Sequence, residues 1–141
     1  MSGRLPYGKR YKYPHMIGDD IEIWERFVDK YPGYFNTVDY DWRVGKGMSL
    51  DQTWDPKIKR MATMLTQKRI DVIGWKDDQP VIIEVKKRVG LSTLGQVLGY
   101  KTLFINEFPK IKTPELMIIT EIIGADDLMI LKIFDIPVEI V

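Results

Sequence analysis

Hydrophobic positions in this chain follow two periods. Val38, Tyr40, Trp42 and Val44 alternate with Asp39, Asp41 and Arg43, the period of two that marks a strand, predicted over residues 34–44. Asp39 and Asp41 then fall on its solvated face. Over residues 19–30 the period lengthens to that of a helix. Ile17, Ile21, Trp24, Val28 and Tyr31 form its apolar stripe, and Asp19 or Asp20 caps its start. A short helix is expected over residues 56–66, exposing Lys57, Lys59 and Arg60. A longer one, over residues 92–107, buries Leu94, Val97, Leu98, Leu103 and Phe104. Residues 116–123 are apolar nearly throughout, as a central strand is. A turn at 124–127 leads into a short helix ending near Phe134, and residues 137–141 read as a closing edge strand.

The most informative stretch lies between these elements. Residues 69–85 hold two apolar runs around a polar break that contains Pro80, the pattern of a β-hairpin. With the turn centred between Asp77 and Asp78, Asp71 faces Glu84 on the same side of the sheet. Directly opposed residues carry their Cβ atoms roughly 4.5–5.5 Å apart. Two carboxylates that close repel, and burial sharpens the repulsion, so a cation between them is the natural resolution. Lys86 shares the face of Glu84, because strand side chains alternate. In the same register Arg69 opposes Lys86, a pairing of cations that a phosphate would relieve.

The predicted order is one helix, three strands, helix, strand, helix, strand. That order implies a layered α/β domain with a mixed sheet. The strands joined through the helix at 92–107 can pair in parallel by a right-handed crossover. Residues 1–16 read as a basic and aromatic arm, with Arg4, Lys9, Arg10 and Lys12 among Tyr7, Tyr11 and Tyr13. Such a composition suits contact with unpaired bases and phosphates, and equally a tail tied down by its tyrosines. Residues 17–141 form the single domain.

Composition narrows the chemistry. The chain has 141 residues, no cysteine and one histidine, His15. Disulfides and cysteine-held metals are therefore excluded, as is a multi-histidine metal site within one chain. No apolar run approaches the ~20 residues that span a membrane. With no apolar secretion segment at the start, the expectation is a cytoplasmic protein. Net charge is only +1, but residues 56–112 carry twelve Lys or Arg against five acids, while residues 113–141 carry one Lys against six. A phosphate backbone favours the basic part, which contains Asp71 and Glu84.

Asp71, then Glu84-Val85-Lys86 after a hairpin, resembles the PD-(D/E)XK nuclease superfamily. Gln96 and Tyr100 in the following helix share one face at i, i+4. They are similar to the Gln-x-x-x-Tyr helix of the exonuclease-like branch. Position 70 is Ile, where the family name implies Pro. The resemblance implies a restriction-endonuclease-like core and hydrolysis of phosphodiester bonds in DNA. Asp71 and Glu84 would hold Mg²⁺, with Mn²⁺ as a substitute, and Lys86 would orient water or offset charge on the phosphate. It further implies that Gln96 and Tyr100 touch DNA or support the carboxylates, and that an acid comes from the first helix, Glu25 first and Glu22 second; Arg69 by its register and Lys87 by its place just after Lys86 are expected to contact the nucleic acid. So short a chain leaves little room for a sequence-reading domain. Cutting would be structure-selective or weakly specific, with specificity from a second subunit or a partner protein. The alternatives are a junction-resolving endonuclease and a phage-type binding or assembly module that keeps the fold without catalysis.

Overall fold

Strand-forming residues are densest in the middle of the chain, and the sheet grows outward from there. A computed structural model describes residues 3–141. In chain order the elements are β1 (Leu5–Pro6), α1 (Asp19–Lys30), β2 (Thr37–Val44), α2 (Pro56–Thr66), β3 (Lys68–Lys76), β4 (Gln79–Val89), α3 (Leu91–Glu107), β5 (Glu115–Ile123), α4 (Ala125–Ile133) and β6 (Val138–Ile140). The six strands form one open mixed sheet in the order of the chain. Strands β1 to β4 are antiparallel neighbours, while β4, β5 and β6 run parallel. The chain is thus an α/β protein. Among the described residues, no helix is long and apolar enough to cross a membrane.

Alternation along the strands feeds two cores. On one face Val38, Tyr40, Val72, Val81, Ile83, Val85, Met117 and Ile119 pack against Ile23, Trp24, Phe27 and Val28 of α1. On the other face Ile73, Trp75, Ile82, Leu116 and Ile118 pack against Val97, Tyr100 and Phe104 of α3 and Leu131 of α4. At Gly74 an added Cβ would lie 2.6 Å from the ring of Phe35. Only glycine lets that ring lie flat on the sheet.

Several boundaries and faces differ from the sequence reading. The buried stripe of α1 is Ile23, Trp24, Phe27 and Val28, and Ile17 is left 76% exposed. The rotation follows from the aromatic packing: Trp24 stacks on Phe27, and Phe27 meets Tyr31, Tyr34 and Phe35. In α3 the buried residues are Thr93, Val97, Tyr100 and Phe104, while Leu98 faces out. Strand β4 runs on to Val89, past the predicted end of the hairpin at residue 85, because β5 pairs with it as far as Ile123.

From residue 3 onward, the N-terminal stretch is part of the domain rather than a separate arm. Leu5 and Pro6 pair with β2, and Tyr13 and Met16 are buried. The Tyr7 hydroxyl donates to the carbonyl of Tyr31. Tyr11 remains fully exposed. Helix α2 buries no residue. It is held by the Asp55 side chain, which accepts from the Lys57 N–H, and by bonds from the Gly45–Met48 stretch to Thr63, Thr66 and Gln67.

Candidate active site

The β3–β4 hairpin keeps the predicted register. Val72, Ile73, Gly74, Trp75 and Lys76 stand opposite Ile83, Ile82, Val81, Pro80 and Gln79. One step further, where Asp71 meets Glu84, the backbone ladder stops. The Asp71 carboxylate takes over and accepts the Val85 N–H at 2.9 Å. The same step is irregular on the other side of β3. Asp41 of β2 stands beside Asp71 with φ at +53°, outside the strand region. Ile70 and Trp42 lie in the α3 core, whereas Val72 and Tyr40, two residues away, lie in the α1 core. Strict alternation would put each pair on one face, so both strands turn over at Asp41 and Asp71.

Glu84 is 6% exposed and Asp71 is largely buried. The two carboxyl groups share a hydrogen bond, Glu84 donating to Asp71. Burial, then the charge of Asp71, pushes Glu84 up to about 9. Burial raises Asp71 too, against the opposing effect of its bonds from Glu84 and Val85. Sharing one proton leaves the pair with a single negative charge instead of two, which is how two carboxyls coexist at close range without a cation.

Groups from both layers reach this pair. Half-buried Lys86 acts electrostatically on both carboxyls without closing an ion pair. Tyr100 comes from α3, its hydroxyl raised far above the usual range by burial and then by the charges of Glu84 and Asp71. One turn earlier, Gln96 holds its side-chain oxygen buried with no hydrogen-bond partner. From α1 comes Asp20, raised by burial and then by Asp71.

The remaining predicted residues lie elsewhere. Glu25 accepts from the Tyr13 hydroxyl at 2.9 Å, and Asp20 is the α1 acid whose charge acts on Asp71 and Glu84. Among the described residues, the charges that act on the carboxyl pair do not include Glu22. Lys87 points to the α1 side and meets Asp19 at 3.5 Å. Arg69 does not oppose Lys86, because the ladder has opened before that step; it pairs with Arg43 across β2. Its guanidinium holds His15 at 2.8 Å and Asp41 at 3.5 Å, and His15 in turn reaches Asp41 at 3.2 Å. Asp39, read as solvated, is 1% exposed and fully bonded by Arg4 and Trp75.

Asp20, Asp41 and His15 are thus additions to the predicted set. Asp20 had a signal: it stands at i−3, i−4 and i−7 from Ile23, Trp24 and Phe27, an acid at the head of the buried stripe. Asp41, weighed as an extra acid and read as solvated, and His15 approach through two residues with positive φ, His15 at +59° and Asp41 at +53°.

Among the described residues, no group of three or more His, Cys, Asp or Glu side chains is assembled to hold a metal ion. The donor chemistry at Asp71 and Glu84 nevertheless fits a hard divalent cation. Mg²⁺ is commonly held by one or two carboxylates, with water and substrate phosphate completing the shell. A buried, like-charged carboxyl pair gains most from a cation when the proton between them leaves. Comparison with protein-family models, curated proteins and solved structures gave no match.

Proposed function

We propose that this protein is a Mg²⁺-dependent nuclease that hydrolyses phosphodiester bonds in DNA. One observation carries the reading. Asp71 and Glu84 are buried side by side at the open end of a hairpin, with Lys86 beside them, where a merely structural site would hold a cation or an apolar pair. Asp71 and Glu84 would hold the metal, and Asp20 would approach it from α1. When bound, the metal polarises the phosphate and lowers the pKa of a water.

The protein's own groups supply the rest. Lys86 neutralises charge that gathers on the phosphate oxygens. Buried Tyr100 stays protonated and donates toward a carboxylate or phosphate oxygen. Gln96 offers an oxygen with no competing partner to a nucleotide or to bound water. The restriction-endonuclease-like core and the exonuclease-like mode belong to the same proposal, on the strength of Gln96 and Tyr100.

The test is incubation with labelled linear and branched DNA in Mg²⁺ or Mn²⁺. Asp71→Asn and Glu84→Ala are expected to lower cleavage at least a hundredfold, the order of magnitude of losing a group that acts on the reacting atoms. Asp20→Asn should cost more than Glu25→Gln. Calorimetric titration with Mn²⁺ should show binding that Asp71→Asn removes. Folded variants that cleave like the parent protein would end the assignment. Preference for branched over linear DNA would replace the exonuclease-like mode with junction resolution.

A further inference from the structure

Strand β1 covers β2 only at Thr37 and Val38. Beyond that point, among the described residues, no strand pairs with the outer edge of β2. A groove of about 430 Å³ follows this free edge, lined by Arg4, Asp39, Asp41, Trp42, Arg43 and Phe108. Its charges are unevenly matched. Asp39 is taken by Arg4 and by the Trp75 indole, and Asp41 by Arg69 and His15. Arg43 is half-buried, yet among the described residues its side chain makes no ion pair or hydrogen bond, and its Nε is shielded from solvent without an acceptor. It also stands opposite Arg69 in the β2–β3 ladder. An unpaired, partly desolvated guanidinium beside a second one is costly unless an anion joins them.

The aromatic lining adds a second property. Trp42 and Phe108 meet edge to face, with centroids 5.4 Å apart. The indole N–H of Trp42 is buried without an acceptor. Cations beside flat rings make a surface for an unpaired nucleotide, its phosphate on the cation and its base on the rings. A base-paired nucleotide has its faces stacked already and cannot use the rings.

Asp41 joins this groove to the carboxyl pair. It lines the groove, and its charge acts on Asp71. Along β3, Arg69 is two residues from Asp71, roughly 6.6 Å at strand rise. We propose that the free edge of β2 holds one unpaired nucleotide next to the bond to be cleaved, its phosphate on Arg43 and its base against Trp42 and Phe108. This rests on the nucleic-acid reading of the Asp71–Glu84 site.

The experiment is binding in EDTA of a short labelled oligothymidylate, and of a blunt duplex of equal length, over a salt series. Arg43→Met is expected to weaken single-strand binding about fivefold and to lower the slope of log affinity against log salt by about 0.7, the value of one phosphate contact. Phe108→Leu should weaken it about tenfold with the slope unchanged. Both variants should affect the duplex less, and melting temperatures confirm that they fold. The proposal is overturned if the parent protein does not bind the oligothymidylate, if Arg43→Met leaves affinity and slope as they were, or if duplex binding falls equally. The two readings fail separately. Absent cleavage with the slope effect intact removes the nuclease and keeps the groove; intact cleavage with an unchanged slope removes only the groove.

Discussion

Two buried acids on neighbouring strands show opposite solutions to one problem. Asp39 on β2 is buried and surrounded by donors: the Arg4 guanidinium at 2.7 Å, the Arg4 N–H at 3.3 Å and the Trp75 indole at 2.9 Å. Its carboxylate is fully solvated by the protein. Asp71 on the adjacent β3 and Glu84 on β4, at the open end of the hairpin, have one backbone N–H and each other. Asp39 is complete as it stands, and the pair becomes complete by keeping a proton or by gaining a cation. Burial alone therefore does not mark a functional acid; a shortfall of donors does.

Removing Asp39 breaks the contrast from the satisfied side. Asp39→Ala orphans the Trp75 indole inside the α3 core and frees Arg4 from the sheet edge. We expect a loss of about 3 kcal/mol, seen as a fall in melting temperature on the order of 10 °C. A change within a degree or two would show that Asp39 contributes no more than a surface acid.

Removing the titration of Glu84 probes the other side, with a smaller effect of opposite sign. Folded Glu84 holds its proton up to about 9, while an unfolded glutamate releases it near 4.3. Between those values the folded state binds the extra proton. The stability this gives is full below the unfolded pKa and is lost as pH rises through the folded one. Metal-free protein should therefore lose stability from about pH 5 to pH 9. Glu84→Gln keeps a neutral hydrogen-bonding group and removes the titration. It should flatten the profile and be more stable than the parent by about 1–2 kcal/mol at pH 8 in EDTA. Thermal melts across pH decide it. Parallel profiles would mean that Glu84 does not keep its proton.

What the sequence made legible follows from the same contrast. The hairpin register was readable because Ile82, Ile83, Val72 and Ile73 must reach opposite cores, which fixes the parity of the pairing, and the polar break at Asp77–Asp78 places the turn. That register put Asp71 beside Glu84. The facing of α1 was not readable from residues 17–31 alone. Ile17, Ile21 and Tyr31 are as apolar as Ile23 and Phe27, and aromatic packing with Tyr34 and Phe35, outside the helix, decides between them. That Glu25 turns to Tyr13 while Asp20 turns toward the carboxyl pair follows directly from that rotation. Asp39 was misread because a period of two gives the face of a side chain but not whether Arg4 and Trp75 converge on it. His15 and Asp41 meet through local backbone conformations that no hydrophobic pattern encodes.

Helix α3 carries the smallest predicted effect, and it separates scaffold from site once more. Gly95 and Gly99 flank Gln96 and Tyr100, and glycine inside a helix costs about 1 kcal/mol against alanine. Close approach to the sheet would explain them, yet a Cβ at either position meets nothing within 4 Å. The sheet does not need these glycines. Gly95→Ala and Gly99→Ala should each stabilise the fold by about 0.5–1 kcal/mol, read from urea denaturation with an unchanged m-value. If the open space beside Gln96 and Tyr100 belongs to bound DNA, the same alanines that strengthen the helix will weaken cleavage. An alanine that stabilises the protein and leaves DNA binding and cleavage untouched would show that this side of α3 stands clear of the substrate.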